Sequence, residues 1–430
     1  MSRRTAARPL RGTVRVPGDK SISHRALLLA ALADGRSRVD GVNPGADVAA
    51  TAAAVRAVGA TVASVDSDAV VEVEGCGGRG LQEPVAVVDA GNSGSTIRMG
   101  LGVFARVDGL TVVTGDASLR ARPMLRVVAP LRRMGASIDG RCRGDRAPLS
   151  VRGGRLRGAD VQLDVASAQV KSALLLAALG AEGTTSVAEP RRSRDHTERM
   201  LRAAGVDVRV AGTTVALDGP QPVPALDRRV PGDVSAAMFL AVAAAIVPGS
   251  HLTIEAVGLN PTRAAALDVL RSMGARVDVE ISGDEGGEPV GDVTVEASEL
   301  RGVDVGPDLV PSLVDEIPAL AIAASRADGV TRFHGASELR VKESDRIAAL
   351  VGGLRALGAD AEELPDGLVV RGPAELGDGV VDSRGDHRIA MAFAVAGVAS
   401  PQRIRVTRWD CVETSFPGFL DVVAAAQGRS

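Results

Sequence analysis

The chain has 430 residues, enough for more than one domain and for large apolar cores that need no disulfide or metal to staple them. Its 50 basic and 53 acidic residues leave a net charge of −3, which excludes a general binder of nucleic acid, because phosphate-backbone affinity needs a basic surface. Aromatic residues make up 2% and tyrosine is absent, so there is no stacking platform for bases.

Cys76, Cys142 and Cys411 are isolated in the sequence, show no metal-ligand spacing and suit the reducing cytoplasm. The basic start, MSRRTAARPLRG, leads into no apolar signal core. Apolar runs such as AAMFLAVAAAIV fall short of the ~18 residues that span a bilayer and read as buried helices, so no membrane partner is expected. Only Lys20, Lys171 and Lys342 are lysines; the other 47 basic residues are arginines. In such a chain each lysine calls for a reason that a guanidinium cannot supply.

In chain order, the first polar segment is GDKSISHR, residues 18–25, followed by ALLLAAL. A Pro17-Gly18 turn, Lys20 and the hydroxyls of Ser21 and Ser23 meet at a helix start, where unpaired backbone N–H groups favour an anion such as phosphate. A capped helix with two solvated charges explains the same residues equally well. DAGNSGSTIR, residues 89–98, brings Gly91, Asn92 and Gly94 for close backbone approach, and Ser95-Thr96 to cap the next helix. GDASLRARPM, residues 115–124, carries Arg120 and Arg122, whose planar forks suit phosphate or carboxylate, though a solvated loop explains them equally well. ASAQVKSALLL, residues 166–176, opens another helix with Ser167 and Gln169, and RDHTERM, residues 194–200, holds one histidine with no second at metal-ligand spacing. Later, VDEIPALAIAA sets Asp315 and Glu316 before a buried helix, where partial desolvation fits a carboxylate for proton transfer, although simple complementarity to the helix dipole is locally the better account. In ELRVKESDRIAAL, Lys342 and Arg346 stand four apart, as on one helix face, and DHRIAMAFAV starts the last apolar helix with His387 and Arg388. Every one of these segments lies at or just before a helix opening.

A repeat underlies them. Helix-like tails end in Gly59, Gly135, Gly205, Gly274, Gly358 and Gly428, each glycine at the place of a left-handed helix C-terminus. Between them run six Ala/Leu-rich helices, apolar nearly all round, which belong inside a core. The expectation is an α/β fold with helices buried and sheets outside, in two groups of three units. Pro17-Gly18 and Pro231-Gly232-Asp233 are the crossing points, so that 19–231 forms one domain and 1–18 with 232–430 the other.

Taken together, GDKSISHRALLLAAL, GNSGSTIR, GDASLRARPM, SAQVKSALLLAAL, RDHTERM, VDEIPALAIAA, RVKESDRIAAL and DHRIAMAFAVAG resemble the 5-enolpyruvylshikimate-3-phosphate (EPSP) synthase family, in order and over nearly the whole chain. The resemblance implies two inside-out domains of three βαβαββ units each. It implies transfer of the enolpyruvyl group of phosphoenolpyruvate to the 5-hydroxyl of shikimate 3-phosphate, with release of phosphate and with neither metal nor organic cofactor, by a monomer. By the same resemblance Lys20, Ser21, Arg25, Ser167, Ala168, Gln169, Arg194, Asp315 and Lys342 hold shikimate 3-phosphate. Lys20, Gly94, Arg122, Gln169, Arg346 and Arg388 hold phosphoenolpyruvate. Asp315 takes the hydroxyl proton, and Glu343 with Lys20 manages the proton at the methylene carbon. Glyphosate-tolerant relatives carry Ala at the position of Gly94, so this chain is expected to be inhibited by glyphosate. Two other readings fit the same fold: UDP-N-acetylglucosamine enolpyruvyl transferase, which usually carries a cysteine in the loop matching 115–124, and a non-catalytic anion-binding protein.

Overall fold

The computed structural model describes residues 7–65, 70–77 and 80–429. The repeat has a simple local cause. Six helices, here α1 (Lys20–Leu32), α2 (Gly94–Phe104), α3 (Ala168–Ala178), α4 (Val234–Ile246), α5 (Ile317–Arg326) and α6 (His387–Val398), are largely apolar, and all but α2 are built mostly from Ala, Leu, Val and Ile. With no polar face to turn to water they go inside; every residue of α4 is buried. Five of the six begin at a side-chain cap, as the unpaired first N–H groups require: Asp19, Ser93, Ser167, Asp233 and Asp386 each accept a backbone N–H of the first turn. Glu316, before α5, makes no such bond, and Pro318 stands in that first turn, where a missing N–H costs nothing.

One repeat shows the topology of the rest. Strand Val88–Asp89 leads into α2, and strand Leu110–Thr114 returns parallel to it. A second, amphipathic helix, Leu125–Arg133, feeds the hairpin Ser137–Gly140 and Arg146–Arg152, whose last strand pairs antiparallel with Leu110–Thr114. Five sheets have this four-stranded order. Along Arg146–Arg152 buried and less buried residues alternate, so one face covers the helices and the other meets solvent. The tail glycines Gly59, Gly135, Gly205, Gly274, Gly358 and Gly428 all have positive φ, the left-handed helix end that lets the chain turn back into a strand.

The chain divides into two compact units. One holds the residues up to Pro17, Pro231–Gly283 and Pro289 onward; the other holds Gly18–Val230 and Asp284–Glu288. Each has its own apolar core. In the first, strand Arg11–Arg15 pairs parallel with His251–Gly258 and supplies the opening strand of the α4 repeat. In the second, Asp227–Arg229 does the same for the α1 repeat by pairing with Arg36–Asp40. The close approach of backbone that this needs is visible at Gly18, where a Cβ would lie 1.9 Å from the carbonyl oxygen of Gly41.

Candidate active site

In the unit that carries α1 to α3, the helix openings gather the cations. Asp19, rather than Ser21 or Ser23, caps α1, because its carboxylate meets the Ile22 N–H at 2.8 Å. Ser23 is buried and donates to the Asp19 carbonyl. Lys20 Nζ lies 2.9 Å from Asp47 Oδ2. One turn on, Arg25 is buried and spends its fork on three partners: Nε on Thr197 Oγ1 at 2.8 Å, Nη2 on Ser172 Oγ at 2.9 Å and Nη1 on the Ser21 carbonyl at 2.9 Å. Burial lowers its pKa to about 10, opposed by Glu198 and Asp19, while the nearby charge of Arg194 lowers it further. A buried guanidinium whose charge is disfavoured in this way is what an anion repays.

A second convergence sits over α2. The cap here is Ser93, not Ser95 or Thr96. A Cβ built on Gly94 would lie 2.9 Å from Arg98 Nη1 and 3.3 Å from Arg122 Nη1, so two more guanidiniums close on this one residue. Arg98 Nη1 donates to Gln169 Oε1 at 3.0 Å, Gln169 Nε2 donates to Ser95 Oγ at 3.1 Å, and Arg122 Nη2 donates to Asn92 Oδ1 at 2.7 Å. Gln169, in the first turn of α3, thereby ties α3 to α2. Ser167 caps α3, and the carbonyl of Ala168 accepts from Ser172 Oγ. Lys171 points away from this group. Its Nζ lies 2.8 Å from Glu189 Oε2 and 2.7 Å from Glu198 Oε1, with 1% of the side chain exposed. Its reason is structural: a compact cation between two buried carboxylates.

In the other unit the openings of α5, α6 and the helix Arg346–Ala356 meet. Arg346 is 1% exposed and touches three carboxylates, Asp315 Oδ1 at 3.0 Å, Glu343 Oε2 at 2.5 Å and Asp386 Oδ2 at 2.8 Å. Burial pulls its pKa down, but the charges of Asp386, Glu343 and Asp315 outweigh that and raise it. Arg388 Nη1 donates to the Asp315 carbonyl at 3.0 Å, with its Nε 3.8 Å from the Asp315 carboxylate. Glu316 parts company with Asp315: it is fully buried and accepts a hydrogen bond from Ser235 Oγ. Lys342 does not share a helix face with Arg346. Asp345 caps the helix that Arg346 begins, and Lys342 lies before the cap, its Nζ 2.8 Å from Glu338 Oε1.

The structure thus groups Lys20, Ser21, Arg25, Ser167, Ala168, Gln169, Arg194, Gly94 and Arg122 in one unit, and Asp315, Lys342, Glu343, Arg346 and Arg388 in the other. A family model for EPSP synthase (3-phosphoshikimate 1-carboxyvinyltransferase) matches residues 5–423. The chain belongs to the EPSP synthase family. It is 53% identical over 421 residues to the 3-phosphoshikimate 1-carboxyvinyltransferase of Gloeobacter violaceus, covering 98% of this chain and 97% of that one. It is 52% identical over 419 residues to the enzyme of the same name from Pelotomaculum thermopropionicum, covering 97% of each. The solved EPSP synthase of Acinetobacter baumannii superposes with a TM-score of 0.87 at 42% identity, over 98% of this chain and 96% of that one.

Sequence reasoning passed over several groups that the EPSP synthase fold brings into these clusters. Arg98 stands four residues after Gly94 on α2, a spacing that could have pointed to it. Asp386 directly precedes the His387-Arg388 pair and caps the same helix. Asp47, the partner of Lys20, carries no local signal. Among the described residues no three His, Cys, Asp or Glu side chains are grouped so as to hold a metal ion, and no helix is long and apolar enough to cross a membrane.

Proposed function

We infer that the chain transfers the enolpyruvyl group of phosphoenolpyruvate to the 5-hydroxyl of shikimate 3-phosphate, and that the helix-opening residues above divide the work. Lys20, Ser21, Arg25, Ser167, the Ala168 backbone, Gln169, Arg194 and Lys342 hold shikimate 3-phosphate. Lys20, Gly94, Arg122, Gln169, Arg346 and Arg388 hold phosphoenolpyruvate. Two multiply charged anions must be held together in the reaction, which is why cations dominate the list. Asp315 accepts the 5-hydroxyl proton as that oxygen bonds to C2, while Glu343, with Lys20, protonates C3. The tetrahedral adduct then returns a proton from C3 as the C2–O bond to phosphate breaks, and phosphate leaves.

One observation carries this reading. The buried guanidinium of Arg346 touches both Asp315 and Glu343, which supports reading the two carboxylates as a base and an acid held by one cation. An anion-binding protein needs no such pair. The sister transferase of UDP-N-acetylglucosamine is not favoured either, since Cys76, Cys142 and Cys411 all lie outside the loop 115–124. Incubation of the purified protein with both substrates is expected to release phosphate, and Asp315→Ala to lower the rate by about 10²–10⁴-fold. No phosphate from the native chain overturns the activity, and an unaffected Asp315→Ala overturns the role of Asp315. Sedimentation is expected to find a monomer.

A further inference from the structure

The sixth repeat differs from the other five. In the fifth, strand Gly329–Phe333 pairs parallel with Asp304–Val305 on one side and antiparallel with Gly367–Gly372 on the other. In the sixth, Gly379–Asp382 pairs parallel with Ile404–Thr407, and the sheet ends there with two strands. The Gly379 N–H donates to the Arg403 carbonyl and the Ser383 N–H to the Thr407 carbonyl, so the odd-numbered residues serve this ladder. By alternation the N–H and C=O of Ile404 and Val406 face the other way. Among the described residues they have no backbone partner there.

A cleft of about 660 Å³ borders this edge. Val398, Trp409 and Leu420 give it an apolar lining. Arg8, Arg403, Arg405 and Arg429 line it as well, and no acidic residue does. None of these four guanidiniums is ion-paired with a carboxylate among the described residues. Arg403 and Arg405 are exposed, whereas Ile404 and Val406 are half-buried.

We propose that this edge and cleft bind an extended acidic segment of a partner protein, added as an antiparallel third strand beside Ile404–Thr407. The backbone groups of Ile404 and Val406 supply the ladder that the other repeats complete for themselves. Because strand neighbours share faces, the segment alternates acidic side chains, level with Arg403 and Arg405, with apolar ones directed towards Trp409 and Leu420. Arginines on an open edge deter indiscriminate strand pairing, and here they also select the charge of what is admitted. The proposal uses no residue of the catalytic reading and stands or falls apart from it.

A fluorescent, end-blocked hexapeptide of alternating Glu and Val is the probe, titrated into the full chain and followed by anisotropy. Saturable binding with Kd below about 1 mM is expected. An otherwise identical Lys-Val peptide is expected not to bind, and Arg403→Glu with Arg405→Glu is expected to weaken the Glu-Val peptide at least about tenfold. N-methylation of alternate peptide bonds, which removes ladder donors but keeps the charge, is expected to abolish binding in one of the two registers and spare it in the other. Unchanged phosphate release by the double variant shows that it is folded. No saturation by about 1 mM, equal binding of the Lys-Val peptide, or equal tolerance of both N-methylation patterns overturns the proposal. So does self-association of the chain that the double variant abolishes, since the edge then serves a second copy.

Discussion

Substituting Gly94 by Ala tests the convergence of guanidiniums over α2. The added methyl meets no backbone; its nearest neighbours are the far ends of two side chains, Arg98 Nη1 at 2.9 Å and Arg122 Nη1 at 3.3 Å. Ordinary contact requires Arg98 to retreat by about 0.5 Å and Arg122 by less. The same Arg98 Nη1 holds a 3.0 Å bond to Gln169 Oε1, one of two links between Gln169 and α2, so its displacement weakens that bond. A hydrogen bond to a charged group contributes about 1.5–3 kcal/mol, so partial loss of this one predicts a rise in phosphoenolpyruvate KM of about tenfold, with kcat changed by less than about threefold. Glyphosate, longer than phosphoenolpyruvate, is expected to lose more. For folding two effects oppose each other: Gly94 opens a helix and is not in the left-handed region, which favours alanine by up to about 1 kcal/mol, while the weakened Arg98–Gln169 bond costs a comparable amount, so little net change in stability is expected. Steady-state kinetics with both substrates varied, glyphosate inhibition and a thermal melt give the answer. A variant with native KM and native inhibition would refute the placement of phosphoenolpyruvate at Gly94.

Lys171→Met leaves Glu189 and Glu198 as two buried, uncompensated carboxylates and is expected to cost about 3–5 kcal/mol in urea unfolding, with much of it recovered when Glu189→Gln and Glu198→Gln are added. Burial, helped by the charges of Lys20 and Arg25, holds His24 well below its ordinary pKa. The unfolded chain therefore takes up this proton first as pH falls below about 6.5, and stability drops by up to about 1.4 kcal/mol per pH unit until the folded histidine titrates. His24→Asn is expected to remove that slope when urea midpoints at about pH 7.5 and 5 are compared with the native chain, and identical slopes would speak against a neutral His24. Arg346→Lys keeps the charge but replaces a planar fork by a point cation, and kcat is expected to fall by about 10²-fold, with a loss of stability of about 1.5–3 kcal/mol from the charged hydrogen bond that lysine cannot remake.

Much of the fold was legible because its cause is local. A helix without a polar face has to be buried wherever it lies, and a glycine that ends a helix before a strand takes positive φ at all six tails. The caps were less legible. NSGST offers several hydroxyls within a few residues, and which of them meets an N–H depends on how the chain enters the helix, so Ser93 took the place expected of Ser95 and Thr96. The same dependence undid the pairing of Lys342 with Arg346. Their spacing means one face only if the helix extends back through both, and the Asp345 side chain, by accepting the Ala348 N–H, starts it between them.

The acids were the least legible, and they change what the cations can do. Asp47 is 27 residues from Lys20 and Asp386 is 40 from Arg346, separations at which no sequence periodicity acts. The cations named for the site, counted alone, make it strongly positive. Counting donors gives another answer: Arg346 offers five N–H groups and commits at least three to carboxylates. Its immediate surroundings are net negative, so it cannot attract an anion by charge alone. What remains to it is geometry, the orienting of Asp315 and Glu343 and at most two N–H groups for phosphoenolpyruvate. On the function proposed above, the charge that draws phosphoenolpyruvate comes chiefly from residues such as Arg122 and Arg388, and neutralising either is expected to weaken binding more than it slows the chemical step.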